Sequence, residues 1–305
     1  MCGIIGIVGN QAVSDRLVDG LKRMEYRGYD SAGVCTVDDG QLIRRRAEGK
    51  LKNLVQVLKG DDAAGNIGIA HTRWATHGAP TTSNAHPHAT GEVALVHNGI
   101  IENFRHLRAT LEEKGHAFQT ETDTETIAHL IASHLDGGAD PVAAVKAALT
   151  ELEGAFALSI LFEGHDDLLI GARKGSPLVI GVGEDEMFLG SDALAVAPFT
   201  NRVIYLEEGD WCVLAHGTYT IFDEDGSEVT RPESLVQAAG ATVEKGNYRH
   251  YMQKEIFEQP DSTARTIGAY VNALDQAIEL PGDEDAIDWA NITHLHMVAC
   301  GTAYY

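Results

Sequence analysis

The chain has 305 residues, 44% hydrophobic and 22% charged, enough for about two globular domains with sizeable cores. Its net charge of −22 argues against nucleic-acid or anionic-membrane partners, because no basic stripe exists to neutralise phosphates. No stretch approaches the roughly 20 apolar residues of a membrane span. The glycine-broken amino terminus also lacks the positive flank of a signal peptide.

The opening MCGIIGIVGN predicts a buried strand, followed by an amphipathic helix over Asn10–Met24 with Val13, Leu17, Leu21 and Met24 on one face. EYRGYDSAG, with Gly28, Asp30, Ser31 and Gly33, reads as a structured loop. Short strands follow at Val34–Val37, Gln41–Arg44, Ile67–His71 and Val93–His97, with helices at Lys50–Leu58, Asn103–Lys114 and Thr124–Leu135. Another helix opens at Asp140-Pro141, a capping residue followed by one suited to the first helical position. Strands then dominate, at Ala155–Phe162, Leu168–Ala172, Leu178–Val182, Met187–Ser191, Arg202–Glu207 and Tyr219–Asp223.

Helices between blocks of strands predict an α+β layered domain through about residue 240. Ala238–Ala241 and Glu244–Asn247 read as a linker. Helices at Tyr251–Glu258 and Ser262–Glu279 follow, then a strand at His294–Ala299. A strand running into a Gly-Thr turn opens an α/β phosphate- or sugar-binding unit, so residues 241–305 read as the incomplete start of a second domain. The four cysteines (Cys2, Cys35, Cys212 and Cys300) form no CxxC pair, which suggests reduced thiols and a cytoplasmic protein.

Four stretches carry chemistry. If Met1 is removed, Cys2 joins a thiol and a free α-amine on one residue, supplying a nucleophile and its general base together. Taken alone, a cysteine there is more simply a small hydrophobe starting a buried strand. The second stretch is the polar run HTRWATHGAPTTSNAHPH, His71 to His88, placed after a strand where binding residues usually sit. Arg73 offers a planar fork suited to a carboxylate, and Trp74 an aromatic cover for a small ligand. His71, His77, His86, His88 and His97 raise a metal reading. No pair has HExxH spacing and no cysteine or carboxylate completes a set, so capping and hydrogen bonding of the loop explain most of them better.

The third stretch, VALVHNGIIEN, contains Asn98-Gly99, a common hairpin-turn pair. The same two residues also suit an oxyanion hole, with the side-chain amide and the glycine N–H aimed at one oxygen. In the fourth, ETDTETIAHL, Thr122 or Asp123 caps a helix, or the carboxylate holds an ammonium group.

Taken jointly, Cys2-Gly3-Ile4, HTRWATHG, HNGIIEN and ETDTE, in this order and spacing, resemble the class II glutamine amidotransferases with an amino-terminal nucleophile. EYRGYDSAG, KGSPL at 174–178, LEEGD at 206–210, YRHYMQKEIFEQP at 248–260 and ACGTAYY at 299–305 are similar to one branch of that family. It is the branch that aminates fructose 6-phosphate to glucosamine 6-phosphate, and the resemblance extends over essentially the whole chain.

The resemblance implies an α+β, four-layer αββα sandwich of the amino-terminal-nucleophile hydrolase type over residues 1–240. Residues 241–305 become the truncated start of an α/β sugar-isomerase domain. It implies that Cys2 attacks the glutamine carboxamide with its own amine as base, and that Asn98 and Gly99 form the oxyanion hole. Arg73 then takes the α-carboxylate and Asp123 the α-ammonium, while Trp74, Thr76 and His77 lie on a loop closing over glutamine. Gly301 and Thr302 fall where the family's sugar-phosphate site begins.

No metal or other cofactor is implied. L-glutamine is the implied substrate of this chain; fructose 6-phosphate and a homodimer belong to the full-length enzyme. The expectation for the chain alone is glutamine hydrolysis without glucosamine 6-phosphate synthesis. Amidotransferases that use phosphoribosyl diphosphate or form asparagine are the nearest alternatives. A non-catalytic sugar-phosphate sensor is a third; the intact set Cys2, Arg73, Asn98, Gly99 and Asp123 argues against it.

Overall fold

The structure is a computed structural model that describes residues 2–236, 247–272, 277–278, 291–294 and 296. It divides into two compact units, Met1–Glu244 and Lys245–Tyr305. The first unit runs β1 (Gly3–Val8), α1 (Ser14–Lys22), β2 (Ser31–Asp38), β3 (Gln41–Glu48), α2 (Leu51–Gly60), β4 (Ile67–Arg73), β5 (His88–Thr90) and β6 (Val93–Ile101). Three helices follow: α3 (Phe104–Glu113), α4 (Asp123–Asp136) and α5 (Pro141–Glu151). Then come β7 (Gly154–Phe162), β8 (Leu169–Lys174), β9 (Val179–Val182), β10 (Met187–Gly190) and the short α6 (Ala193–Val196). The unit closes with β11 (Arg202–Tyr205), β12 (Trp211–Ala215), β13 (Thr218–Phe222), β14 (Glu228–Val229) and β15 (Glu233–Leu235).

These strands form two antiparallel sheets, ordered β15-β11-β9-β10-β1-β4-β2-β3 and β14-β13-β12-β8-β7-β6-β5. Central strands such as β1 and β7 read as nearly continuous apolar runs because both of their faces are buried. In β1, Ile4 and Val8 join Ala94 and Val96 of β6 in the cluster between the sheets. The alternate residues Ile5 and Ile7 face outward, onto Leu17 and Leu21 of α1 and Leu54 of α2. On the far side, Val93 and Leu95 of β6 meet Ile127 and Ile131 of α4 and Val145 of α5. Three apolar seams therefore separate four layers in the order α, β, β, α, as period-two side chains covered on both faces require.

The predicted caps form. The Asp140 carboxylate accepts from the Ala143 N–H at 2.9 Å, and Pro141 fills the first helical position. The Thr122 hydroxyl caps α4 by accepting from the Glu125 N–H at 3.3 Å, which leaves Asp123 as the first helical residue. The first helix begins at Ser14 rather than Asn10. β12 was not anticipated, although Trp211–Ala215 is an apolar run directly after the polar LEEGD.

Asn98-Gly99 is not a hairpin turn. The pair lies inside β6, opposite Ala157 and Phe156 of β7, so the strand continues through it.

In the second unit, α7 (Tyr251–Tyr270) passes through Pro260 as one helix where the sequence predicts two. Proline removes a single bond to the Ile256 carbonyl, and the turns on either side hold the axis. Beyond Tyr270 the predicted helix gives way to β16 (Val271–Asn272), paired antiparallel with β17 (Ala277–Ile278). Val271 and Asn272 are both poor helix formers. Of the predicted strand His294–Ala299, only His294 and His296 are described, and neither is in a strand. Ala238–Gly246 of the predicted linker lies outside the described residues, as do Gly301 and Thr302. Among the described residues no helix is long and apolar enough to cross a membrane.

Candidate active site

Strand alternation brings the site together. Ile4 and Val8 of β1, Ile67 and Ile69 of β4, and Ala94 and Val96 of β6 all point into the seam between the sheets. Continuing each series by two residues reaches Cys2, then His71 and Arg73, then Asn98. The β1–β4 register pairs Gly3 with Thr72, so Cys2 falls beside the end of β4. The polar residues thus collect at one open end of an otherwise apolar seam, around a cavity of about 700 Å³. Cys2, Arg73, Trp74, Thr76, His77, Asn98, Gly99 and Asp123 all line it.

The Cys2 Sγ accepts from the Trp74 N–H at 3.1 Å. The Cys2 carbonyl is held by Asn98 Nδ2 at 3.3 Å and by Arg27 Nη1 at 3.4 Å. Burial pushes the Cys2 thiol above its ordinary value, and the Trp74 N–H and the Arg73 guanidinium only partly offset this. The group is therefore a thiol at neutral pH and needs a base before it attacks.

Arg73 is 3% exposed, and its two Nη atoms donate to the carbonyls of His77, Gly78 and Ala79. The guanidinium thus braces the loop after β4 from inside. The fork was foreseen as a carboxylate ligand; its loop-bracing role was not.

Asp123 is 4% exposed at the start of α4, and its Oδ2 accepts from the Ile101 N–H at 2.9 Å. This bond ties the first helical turn to the end of β6, with His97 Nδ1 at 4.0 Å from the same oxygen. Trp74 is 54% exposed although its backbone touches the nucleophile. Its indole lies against Gly28, where φ is +74° and a Cβ would sit 2.9 Å from the ring.

Gly99 combines a φ of +139° with a carbonyl, that of Ala155, only 1.9 Å from where a Cβ would be. Gly99→Ala is therefore expected to destabilise the fold by about 3 kcal/mol or more, since neither strain nor clash relaxes without moving β7. Chemical denaturation of the variant checks this.

Several positions are more important here than their sequence context suggests. The Asp30 carboxylate accepts from the Ala75 N–H, and the Asp30 N–H donates to the Arg73 carbonyl, so EYRGYDSAG, whose last three residues open β2 rather than continue the predicted loop, fixes both sides of Trp74. Arg27 bridges the Cys2 carbonyl to Asp192, and Ser191 Oγ accepts from the Ile4 N–H at 2.9 Å. Asn84 clamps the loop to the approach of α4, accepting from the Glu121 N–H at 3.1 Å and donating to the Ala79 carbonyl at 3.0 Å. The only signal for these residues is that turn-rich stretches contain Asp, Asn and Arg.

Four of the loop and strand histidines are interior rather than on the loop surface. His71, His86, His88 and His97 are all buried, and Thr124 Oγ1 lies between His86 Nε2 (2.9 Å) and His97 Nδ1 (3.0 Å). Burial holds all four below the ordinary imidazole value, His71 and His88 down to about 3. Among the described residues no group of three His, Cys, Asp or Glu side chains is placed to hold a metal ion.

A cysteine at the head of the first strand of the two-sheet αββα stack thus shares one cavity with a buried guanidinium and a buried carboxylate. Residues 71–198 match the family described as glutamine amidotransferase domain.

Over all 305 residues the chain is 58% identical to the glutamine–fructose-6-phosphate aminotransferase [isomerizing] of Zymomonas mobilis, covering 50% of that protein. It is 57% identical over 304 residues to the enzyme of the same name from Caulobacter vibrioides, again covering 50% of it. The chain is a homologue of these aminotransferases, and it spans about half the length of the curated relatives it matches. The glutamine phosphoribosylpyrophosphate amidotransferase of B. subtilis shares the fold, with a TM-score of 0.60 at 26% identity over 78% of this chain and 50% of that one.

Proposed function

We propose that the first unit hydrolyses L-glutamine to glutamate and ammonia through Cys2. The observation that carries the reading is the convergence on one cavity of a thiol, the Asn98-Gly99 edge, a buried guanidinium and a buried carboxylate. Each suits one part of glutamine: thiol to carboxamide carbon, amide donor to developing oxyanion, Arg73 to α-carboxylate, Asp123 to α-ammonium. Asp123 already commits Oδ2 to Ile101, so Oδ1 is the oxygen for the substrate ammonium.

The raised thiol requires a base, and among the described residues Sγ meets only the backbone of Trp74. Removal of Met1 supplies that base as the α-amine of Cys2, whose reference pKa of about 7.7–8.0 leaves part of it unprotonated at neutral pH. The amine takes the thiol proton, the sulfur adds to the carboxamide carbon, and Asn98 Nδ2 with the Gly99 N–H stabilises the tetrahedral oxyanion. The protonated amine returns its proton to the leaving nitrogen, so ammonia departs and a glutamyl thioester forms. Water, deprotonated by the same amine, then releases glutamate and the free thiol. Trp74, Thr76 and His77 sit on the loop that shields these steps from bulk water.

In a longer protein like the relatives, the ammonia aminates fructose 6-phosphate. The second unit is then the start of a sugar-isomerase domain, with Gly301 and Thr302 at its first sugar-phosphate contact, in a cytoplasmic homodimer. The 57–58% identity to the aminotransferases, against 26% to the phosphoribosylpyrophosphate enzyme, favours this acceptor.

The test pairs intact-mass analysis of the amino terminus with a glutamate-release assay. Full activity in a chain that keeps Met1 would sink the mechanism. Arg73→Lys is expected to raise KM for glutamine about 10- to 100-fold, because an ammonium replaces neither the bidentate fork nor the three loop carbonyl bonds. Initial-rate kinetics on the variant check this.

A further inference from the structure

We infer that His71 is a positioning residue for the oxyanion donor: its Nε2–H holds the Asn98 amide in the orientation that aims Nδ2 at the nucleophile. The inference rests on the proposed role of Asn98 and adds to it a residue that itself touches no substrate.

His71 belongs to β4 in one sheet and Asn98 to β6 in the other, so their bond crosses the seam directly behind the cavity. His71 Nε2 lies 2.8 Å from Asn98 Oδ1, and Asn98 Nδ2 lies 3.3 Å from the Cys2 carbonyl. A carboxamide is nearly symmetric in shape and opposite in charge at its two ends. Rotated by half a turn, Asn98 would present Oδ1 to the developing oxyanion and turn a donor into a repelling acceptor. The 3.3 Å contact to Cys2 restrains this rotation weakly, whereas the bond to His71 is shorter and its imidazole is fully buried.

The restraint works only while His71 donates, so the ring must carry a hydrogen on Nε2. Burial lowers the ring to about 3, and His97 and Arg73 nearby disfavour a positive charge there further. The His86 ring, with its centroid 4.3 Å away, closes the remaining side. The His97 carbonyl is the competing acceptor near the ring. A hydrogen on Nδ1 facing that carbonyl would leave Nε2 an acceptor and reverse the Asn98 amide.

Three measurements on the full chain test the inference. Nitrogen NMR of the imidazole is expected to show His71 neutral, with its hydrogen on Nε2, unchanged between about pH 6 and 8. An Nδ1–H tautomer overturns the inference. His71→Leu is expected to lower kcat for glutamate release about 10- to 100-fold with KM nearly unchanged, and His71→Gln to recover most of that loss through its own amide donor. Asn98→Ala alone is expected to lose about 10²–10³ in kcat, and adding His71→Leu to it should cost nothing more.

The outcomes separate the two claims. Full activity in Asn98→Ala overturns the oxyanion role itself. An impaired Asn98→Ala on which the His71→Leu loss still adds overturns only the positioning. If His71→Leu does not fold, the tautomer in the unaltered chain decides alone.

Discussion

Cys2→Ala is expected to abolish glutamate release, lowering kcat on the order of 10⁴- to 10⁶-fold, while the fold and glutamine binding persist. The magnitude follows from the site: among the described residues Cys2 is the one thiol lining the cavity. Fold retention follows from the packing. Cys2 precedes β1 and is only partly buried, and β1 is held along its length by β4 and β10. Alanine forfeits the bond from the Trp74 N–H and the longer one to the Trp74 carbonyl, together worth about 1 kcal/mol. Glutamine should still raise the thermal midpoint of the variant, because Arg73 and Asp123 remain. Retained hydrolysis in Cys2→Ala would place the nucleophile elsewhere; loss of the glutamine-induced shift would place the binding groups elsewhere.

Stability is expected to fall steeply as pH drops below about 6.5, well before most carboxylates titrate. His71 and His88 are held at about 3 by burial, and burial likewise depresses His86 and His97. A group whose folded value is depressed contributes stability that is present above its unfolded value and lost as pH falls through the window to its folded value. For His71 and His88 that window runs from about 6.5 to about 3, and the loss by pH 5 is about 2 kcal/mol each. Two such histidines cost about 4 kcal/mol at pH 5, a large part of a typical domain's stability. The measurement is the urea midpoint between about pH 5 and 8, compared with His88→Gln, whose curve should be flatter. A wild-type midpoint independent of pH over that range would show these rings to be solvated.

Much of the chemistry was legible because it depends on residue type. A guanidinium, a carboxylate, an amide next to glycine and a cysteine at position 2 each offer few alternative uses, and their joint order carried the family resemblance. The histidines were less legible. Five of them in one span raise the question of metal, and spacing alone does not tell a buried row from a loop surface. Only the sheet register reveals that His71, His86, His88 and His97 are walled in, the first against Asn98 and the others against Thr122 and Thr124. Asn98-Gly99 misled in the other direction. A turn and a strand that needs a positive φ call for the same dipeptide, and the pairing with Ala157 and Phe156 excludes the turn.

The sequence by itself determined which residues share a side of their strands. The period of two along residues 4–8, 67–73 and 94–98 assigns Cys2, His71, Arg73 and Asn98 to one side of their strands whatever the partners are. Capping residues likewise set where α4 and α5 begin. What only the tertiary structure decided is that these strand ends coincide. β1 and β4 are neighbours in one sheet, β6 lies in the other, and α4 reaches the end of β6 through the Asp123–Ile101 bond. That meeting depends on strand order and stacking between residues up to about 120 positions apart, which no local periodicity encodes.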